Sequence, residues 1–320
     1  MGDATTSTRY LVDPELLSGL ELFPIFNENF AALKEFRALL EESAFPESAY
    51  AQEDVLIERQ DIKGPDGRVG IVILRPKEQT NPLPVYLYLH PGGLIFGTAE
   101  QSNPSNVVTV SAVGCVIVSV DYRLAPEARG PGALMDCYAV LQWLYENASD
   151  LWINPEKIAV GGESAGGGLA AALTQYARDQ GKYPICFQLL LAPMLDDRSF
   201  IDRHLQPPTG EFIWTRSSNR YAWSCYLGQE TCETDIPAYT VPARMTNLSN
   251  LPKAYIQVGA LDLFLTECVD YATRLLAAKC AVELHIFPGA YHGFQRVKQA
   301  RVSARAMDEA HLALKIAFGD

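Results

Sequence analysis

An α/β architecture built on a mostly parallel sheet is the fold class this sequence predicts, and three observations predict it. Short runs such as Val85–Leu89, Cys115–Val120 and Ala254–Val258 are apolar without strict alternation, as strands covered on both faces are. Helical patterns separate these runs, which is the signature of parallel strands joined by crossover helices. One of the junctions, "IAVGGESAGGGLAAALTQY", reads as a strand, a glycine-bracketed turn and an alanine-rich helix in immediate succession.

Taken in order, residues 1–50 carry helical patterning. In "FAALKEFRALLEE", Phe30, Leu33, Phe36, Leu39 and Leu40 recur at steps of about three and four and form one apolar stripe. "DVLIERQDI" and "RVGIVILRP" follow as two β-rich runs around the turn signal Gly64-Pro65-Asp66-Gly67, so a hairpin opens the sheet. Further strands are expected at Val85–Leu89, Cys115–Val120, Ile158–Val160, Cys186–Leu191, Ala254–Val258 and Val282–Phe287. Helices are expected at Ala133–Tyr145, Gly167–Asp179 and Thr266–Ala278, with a last one running to Ala317. Residues 197–249 break the rhythm: proline-rich, without a clean strand, with Trp214, Tyr221, Trp223 and Tyr226 at loosely helical spacing. An insertion after a strand end is where α/β enzymes place lids and pockets. The expected division is therefore an N-terminal helical segment (1–50), a main body (51–196 and 250–320) and an insertion (197–249).

Composition narrows the partners. At 48% hydrophobic and 20% charged residues the chain is an ordinary globular one. No apolar stretch reaches the roughly eighteen residues a membrane helix needs. The polar start "MGDATTSTRY" lacks the apolar region of a secretory signal. Its Met1-Gly2 with Thr6 fits the myristoylation pattern, a short match read as coincidence. A net charge of −12 opposes binding to nucleic acid or anionic lipid. The basic run Arg296–Arg305 reads as the solvated face of the last helix. Seven cysteines without a CxxC pair or cysteine–histidine ligand spacing point to buried thiols, with no metal or redox pair. Cytoplasmic placement follows from these signals, and the sequons at Asn147 and Asn247 would then carry no sugar.

Gly162-Glu163-Ser164-Ala165-Gly166 is G-x-S-x-G between a strand and a helix, the context this motif requires. A sharp turn needs small neighbours, and it stands the Ser164 hydroxyl at a helix N-terminus, where developing negative charge is favoured. A serine hydroxyl is a weak nucleophile and needs a base oriented by a third group. In this architecture the chain order is serine, acid, histidine. Of the histidines after Ser164, His204 lies in the insertion and His285 inside the strand run "VELHIF". His292, in the glycine-bracketed loop "FPGAYHGF" past a strand end, is the expected base. Asp262, in the loop after Val258, is the expected acid, while Glu267 reads as a first-turn helix residue.

Attack on a carbonyl creates an oxyanion, which backbone N–H groups stabilise. One is expected from Ala165, directly after the nucleophile, and others from the loop His90-Pro91-Gly92-Gly93 that follows the strand "VYLYL". Gly92 and Gly93 have N–H groups and no side chain to block approach; Pro91 has no N–H and stiffens the loop.

These residues carry a resemblance. The chain resembles the hormone-sensitive-lipase-like group of α/β-hydrolase carboxylesterases in its H-G-G-G region at 90–93, "DYRLAPE" at Asp121–Glu127 and the serine turn at 162–166. "YTVPAR" at Tyr239–Arg244, "GALDLFLTE" at Gly259–Glu267 and "HGF" at His292–Phe294 match further family segments. It departs in having Pro91 for the first glycine, Glu163 for the more usual aspartate and Leu263 where a proline commonly follows the acid. None of these removes an expected catalytic group. The resemblance implies an α/β-hydrolase fold and a serine carboxylesterase without cofactor or metal, cleaving esters of small to medium acyl chains. It also implies that residues 1–50 and 197–249 form a cap whose Trp214, Tyr221 and Trp223 line the acyl pocket, and that the chain forms a homodimer through the sheet edge near the last strand. "DYRLAPE" is expected to anchor a loop rather than take part in the chemistry. Two other uses of the same fold remain open at this point: a lactonase, thioesterase or acyltransferase on the same triad, and a non-catalytic ligand receptor.

Overall fold

The computed structural model describes residues 7–21, 26, 30–43, 45–199, 208–231 and 235–319. Gly2 and Thr6 of the myristoylation pattern, Cys232 and His204 lie outside them. An eight-stranded sheet runs in the order β1-β2-β4-β3-β5-β6-β7-β8. The expected hairpin is β1 (Val55–Gly64) and β2 (Gly67–Pro76), antiparallel from Val55 opposite Pro76 to Gly64 opposite Gly67. β2 also pairs antiparallel with β4 (Val116–Asp121). All later pairings are parallel: β3 (Leu83–Leu89) between β4 and β5 (Ile153–Glu163), then β6 (Phe187–Leu191), β7 (Lys253–Gly259) and β8 (Val282–Phe287). A parallel sheet follows from the apolar runs because both faces are covered.

That coverage is legible residue by residue. Val85, Leu87 and Leu89 of β3 enter one core with Val116, Val118 and Val120 of β4 and the helices α3 (Gly132–Glu146), α4 (Ala165–Gln180) and α6 (Leu265–Ala277). Tyr86 and Tyr88 point the other way, into a core closed by α2 (Asn103–Val113) and α7 (Arg301–Phe318). A strand offers alternate residues to opposite faces, so an unbroken apolar run feeds two cores at once. The sequence reading passed over α2, which mixes Asn, Ser and Thr with valines and has no strong apolar stripe. It also placed the start of α7 too early: Arg296 sits in a short turn, and the helix begins at Arg301.

Two segments stand beside the C-terminal ends of the strands. Residues 30–42 form α1 (Phe30–Glu42), and within the insertion Arg216–Leu227 form α5, capped by Thr215 Oγ1 accepting from the Ser218 N–H. They approach each other through Phe26, whose ring lies 5.3 Å from Phe36 and 5.7 Å from Tyr221. The chain N-terminal to α1 continues along the body. Val12 and Leu16 join Leu261, Phe287, Tyr291 and Phe294 in a third buried cluster.

Candidate active site

Sheet order determines where a site can form. β3 has its sequence successor β4 on one side and β5 on the other, so helices leave toward opposite faces and a crevice opens at the strand ends. The loops after β3, β5, β7 and β8 carry, in turn, Gly92 and Gly93, Ser164, Asp262 and His292.

Ser164 sits at the corner between β5 and α4 with φ 58° and ψ −122°, a conformation that L residues avoid. The corner is possible because its flanks are bare. A Cβ on Gly162 would lie 2.2 Å from the Leu89 carbonyl oxygen, and one on Gly166 would lie 1.9 Å from the same atom. Ser164 is fixed on both sides by backbone bonds: its N–H donates to the Leu191 carbonyl, and its own carbonyl accepts from the N–H groups of Gly168 and Met194.

The other two expected residues meet it. His292 Nε2 lies 2.9 Å from Ser164 Oγ, and His292 Nδ1 lies 2.8 Å from Asp262 Oδ2. Asp262 is in turn held by the Phe264 N–H, which donates to its Oδ1 at 2.9 Å. With the ring neutral, this arrangement puts the proton on Nδ1, where it donates to Asp262, and leaves Nε2 to accept from the Ser164 hydroxyl. All three side chains are buried. Burial works to lower the His292 pKa, but the Asp262 carboxylate, with Glu163 behind it, carries it above the ordinary histidine value. Phe264 packs edge-on against the imidazole at 5.1 Å. Among the described residues no group of three His, Cys, Asp or Glu side chains is arranged to hold a metal ion.

The loop after β3 turns back on itself, with Gly92 at φ 128°, Gly93 at 60° and Leu94 at 64°. Ile95 and Phe96 N–H groups both donate to the Gly92 carbonyl at 3.0 Å. Neither the Gly92 nor the Gly93 N–H donates to an acceptor among the described residues. Ala165 is the first residue of α4, where an N–H has no partner within the helix.

His90 is a structural residue. Its ring stacks on Tyr122 at 4.1 Å, and Nδ1 lies 2.8 Å from the Pro91 carbonyl oxygen. Burial, only partly offset by that bond, pushes its pKa down to about 4, so it is neutral at physiological pH. "DYRLAPE" anchors the loop as expected. Tyr122 donates to the His90 carbonyl, the Ala99 N–H donates to Asp121, and Arg123 forks onto the buried Asp136. His285 lies on β8, its two ring nitrogens occupied by Glu283 and Glu309.

The three aromatic residues expected in the pocket lie at different depths. Trp214 presses its six-membered ring against the Gly92–Gly93 loop, where a Cβ on Gly93 would approach it to 2.5 Å, and its Nε1–H donates to Asn219 Oδ1. Tyr221 is half-buried beside Phe26. Trp223 is buried beside Tyr226. Sequence reasoning did not single out Phe96, whose ring lies 5.0 Å from Phe36 and 6.2 Å from Trp214. Its only local signal was its place in the glycine-rich loop.

Comparison with known proteins gives the family. Residues 86–296 match the family described as the alpha/beta hydrolase fold. The chain belongs to that family, in its hormone-sensitive-lipase-like group. It is 32% identical over 301 residues to esterase LipI of Mycobacterium tuberculosis, covering 91% of this chain and 90% of that protein. Carboxylesterase NlhH of the same organism is 33% identical over 297 residues, covering 90% of each. Among solved structures, a bacterial heroin esterase superposes with a TM-score of 0.90 at 37% identity, covering 98% of this chain and 100% of that one. Esterase LipW from Mycobacterium marinum gives a TM-score of 0.87 at 31% identity, covering 98% of each chain.

Proposed function

We propose that this α/β-hydrolase is a carboxylesterase that cleaves esters of small to medium acyl chains, with Ser164 as nucleophile, His292 as base and Asp262 as orienting acid. One observation carries the reading: the buried line from Asp262 through His292 to Ser164 Oγ, with links of 2.8 and 2.9 Å, ending on a serine held in a strained turn. Ser164 Oγ bonds to the ester carbonyl carbon as its proton passes to His292 Nε2. The oxyanion takes hydrogen bonds from the N–H groups of Gly92, Gly93 and Ala165. Collapse breaks the bond to the alkoxy oxygen, which leaves as the alcohol carrying the proton from Nε2. Water then gives its proton to Nε2, attacks the acyl carbon and releases the acid and free Ser164. Asp262 stays ionised throughout and stabilises the imidazolium. The α1 and 197–249 segments act as the cap, with Trp214 and Tyr221 bounding the acyl side and Trp223 supporting them from beneath. A second copy of the chain would pair along the open edge of β8, which sedimentation tests. No helix among the described residues is long and apolar enough to cross a membrane, and the substrate is read as a small-molecule ester met in the cytoplasm.

The test is initial rates on p-nitrophenyl esters of increasing acyl length, with Ser164→Ala beside the wild type. Turnover should peak at short chains and fall on the order of a millionfold in the variant. Folded protein with no serine-dependent turnover at any length overturns the esterase reading and favours the receptor. Adding an alcohol, thiol or amine acceptor to the same assay separates hydrolysis from acyl transfer. Only a transferase diverts most of the acyl group from water.

A further inference from the structure

Helix α1 reaches the loop after β3 through the Phe36–Phe96 ring contact and through the hydrogen bonds of one charged side chain, Arg37. Arg37, on α1, donates from Nε to the Ile95 carbonyl at 2.7 Å and from Nη2 to the Ala125 carbonyl at 2.7 Å. The same guanidinium forks onto the Glu127 carboxylate at 2.9 and 3.1 Å. Ala125 completes a ring, because its N–H donates to the Leu94 carbonyl at 2.9 Å. The Leu94–Phe96 segment is thus held at two successive peptides, the Leu94 carbonyl by Ala125 and the Ile95 carbonyl by Arg37. It is the return limb of the turn whose tip presents Gly92 and Gly93, and the Ile95 N–H donates directly to the Gly92 carbonyl.

This turn needs such holding. Leu94 at φ 64° has a branched side chain in a region that L residues rarely adopt, directly after two glycines that also have positive φ. Conformations of that kind persist only when surrounding contacts over-determine them. A planar guanidinium can satisfy two carbonyls and a carboxylate at fixed angles, which a lysine cannot. The Arg37 side chain keeps about 21% of its surface exposed, whereas that of Glu127 keeps 52%. The carbonyl contacts are therefore the more protected part of the arrangement.

We propose that Arg37 is a positioning residue for the oxyanion hole, so that α1 is part of the apparatus that orients the Gly92 and Gly93 N–H groups and not only a cover over the pocket. The inference rests on the reading of those two glycines as oxyanion donors. A substrate carbonyl binds before the negative charge develops, so a slackened donor turn should cost the transition state more than the ground state.

The experiment compares Arg37→Ala, Arg37→Lys and Glu127→Gln with the wild type on p-nitrophenyl acetate. It also measures inhibition by a short alkyl trifluoromethyl ketone, whose carbonyl carbon accepts Ser164 Oγ and leaves an oxyanion in the same place. Arg37→Ala should lose about ten- to hundredfold in kcat with KM changed less than about threefold, and ketone affinity should fall in parallel. Arg37→Lys should lose nearly as much, which keeps the test valid if the alanine variant does not fold. Glu127→Gln, which leaves both carbonyl contacts in place, should stay within about threefold of wild type. Guanidinium ion added at sub-denaturing concentration should restore part of the Arg37→Ala rate. Unchanged kcat and ketone affinity in both Arg37 variants would overturn the proposal. So would a Glu127→Gln loss as large as that of Arg37→Ala, which would make the ion pair the active contact. Gly92→Ala separates the two readings: if it too keeps full kcat and ketone affinity, the oxyanion assignment itself fails. If it loses both while the Arg37 variants lose neither, only the clamp does.

Discussion

Glu163 stands in the serine turn directly before Ser164, and its charge is felt at His292. Burial of the imidazole favours the neutral ring; Asp262 and then Glu163 favour the protonated one, and the net result lies above the ordinary histidine value. In the proposed mechanism His292 is neutral when it accepts the Ser164 proton, so kcat/KM should fall on the acid side through a pKa higher than that of a free histidine. Replacing Glu163 with Gln removes one of the contributions that raise this pKa and leaves the burial contribution intact. The acid limb of the kcat/KM profile should therefore move to lower pH in Glu163→Gln. A limb that stays in place, or moves up, would show that the Glu163 charge is not felt at the ring.

The helix α6 shows the same logic at the scale of an element. Its first turn holds Glu267, whose carboxyl is buried and accepts from the Leu195 N–H at 2.6 Å while Ser199 Oγ donates to its other oxygen. Burial pushes its pKa well above the usual carboxylate value, and the backbone N–H groups of Leu195 and Asp196 only partly oppose this. The element thereby ties the loop after β6, whose Met194 N–H holds the Ser164 carbonyl, to the helix that follows Asp262. The linkage has a definite sign. In the unfolded chain Glu267 releases its proton near 4.5, whereas in the folded chain it keeps it to higher pH. Folding therefore binds a proton in that window, and stability contributed by the neutral carboxyl declines as pH rises from about 4.5 toward the folded pKa. Glu267→Gln cannot ionise. Its denaturation midpoint should improve relative to wild type as pH is raised through this window, with the two closest in acid. A constant difference across pH would mean that Glu267 is charged when folded.

Across the whole molecule, the chain ahead of α1 ties into the catalytic face. The Asp13 N–H donates to the Gly289 carbonyl at 3.0 Å, and the Tyr291 hydroxyl donates to the Leu16 carbonyl at 2.8 Å, both in the stretch that leads into His292. Leu16 is fully buried in the cluster that contains Tyr291 and Phe294. Leu16→Ala should cost about 2–5 kcal/mol in denaturant unfolding, as expected for a large cavity-forming substitution in a closed core. A loss within about 0.5 kcal/mol would place this segment outside the cooperative unit. With Arg37 bonded to the loop that carries Gly92 and Gly93 and Leu16 to the turn before His292, described residues of the N-terminal segment contact both loops.

Legibility in the sequence followed the range of the interaction. The parallel sheet, the hairpin and the serine turn depend on local pattern and chain order and stand where the pattern indicated, and the structure brings Asp262 and His292 into line with Ser164. Apolar runs specify two-sided burial, and G-x-S-x-G needs its glycines because Leu89 passes within van der Waals contact of both. What only the tertiary structure decided comes from residues distant in sequence. Arg37 meets Ile95 and Ala125 across 58 and 88 positions, Leu16 meets Tyr291 across 275, and the order β4-β3-β5 places the glycine loop beside Ser164. An arginine on a helix looks like any solvated charge until the fold shows which carbonyls it faces. The α2 helix escaped notice for a related reason: its burial against β2 and α7 stabilises it, and its own residues announce it only weakly. Local chemistry determined which groups can react; long-range packing decided how tightly they are held, because orientation depends on contacts no short stretch of chain contains.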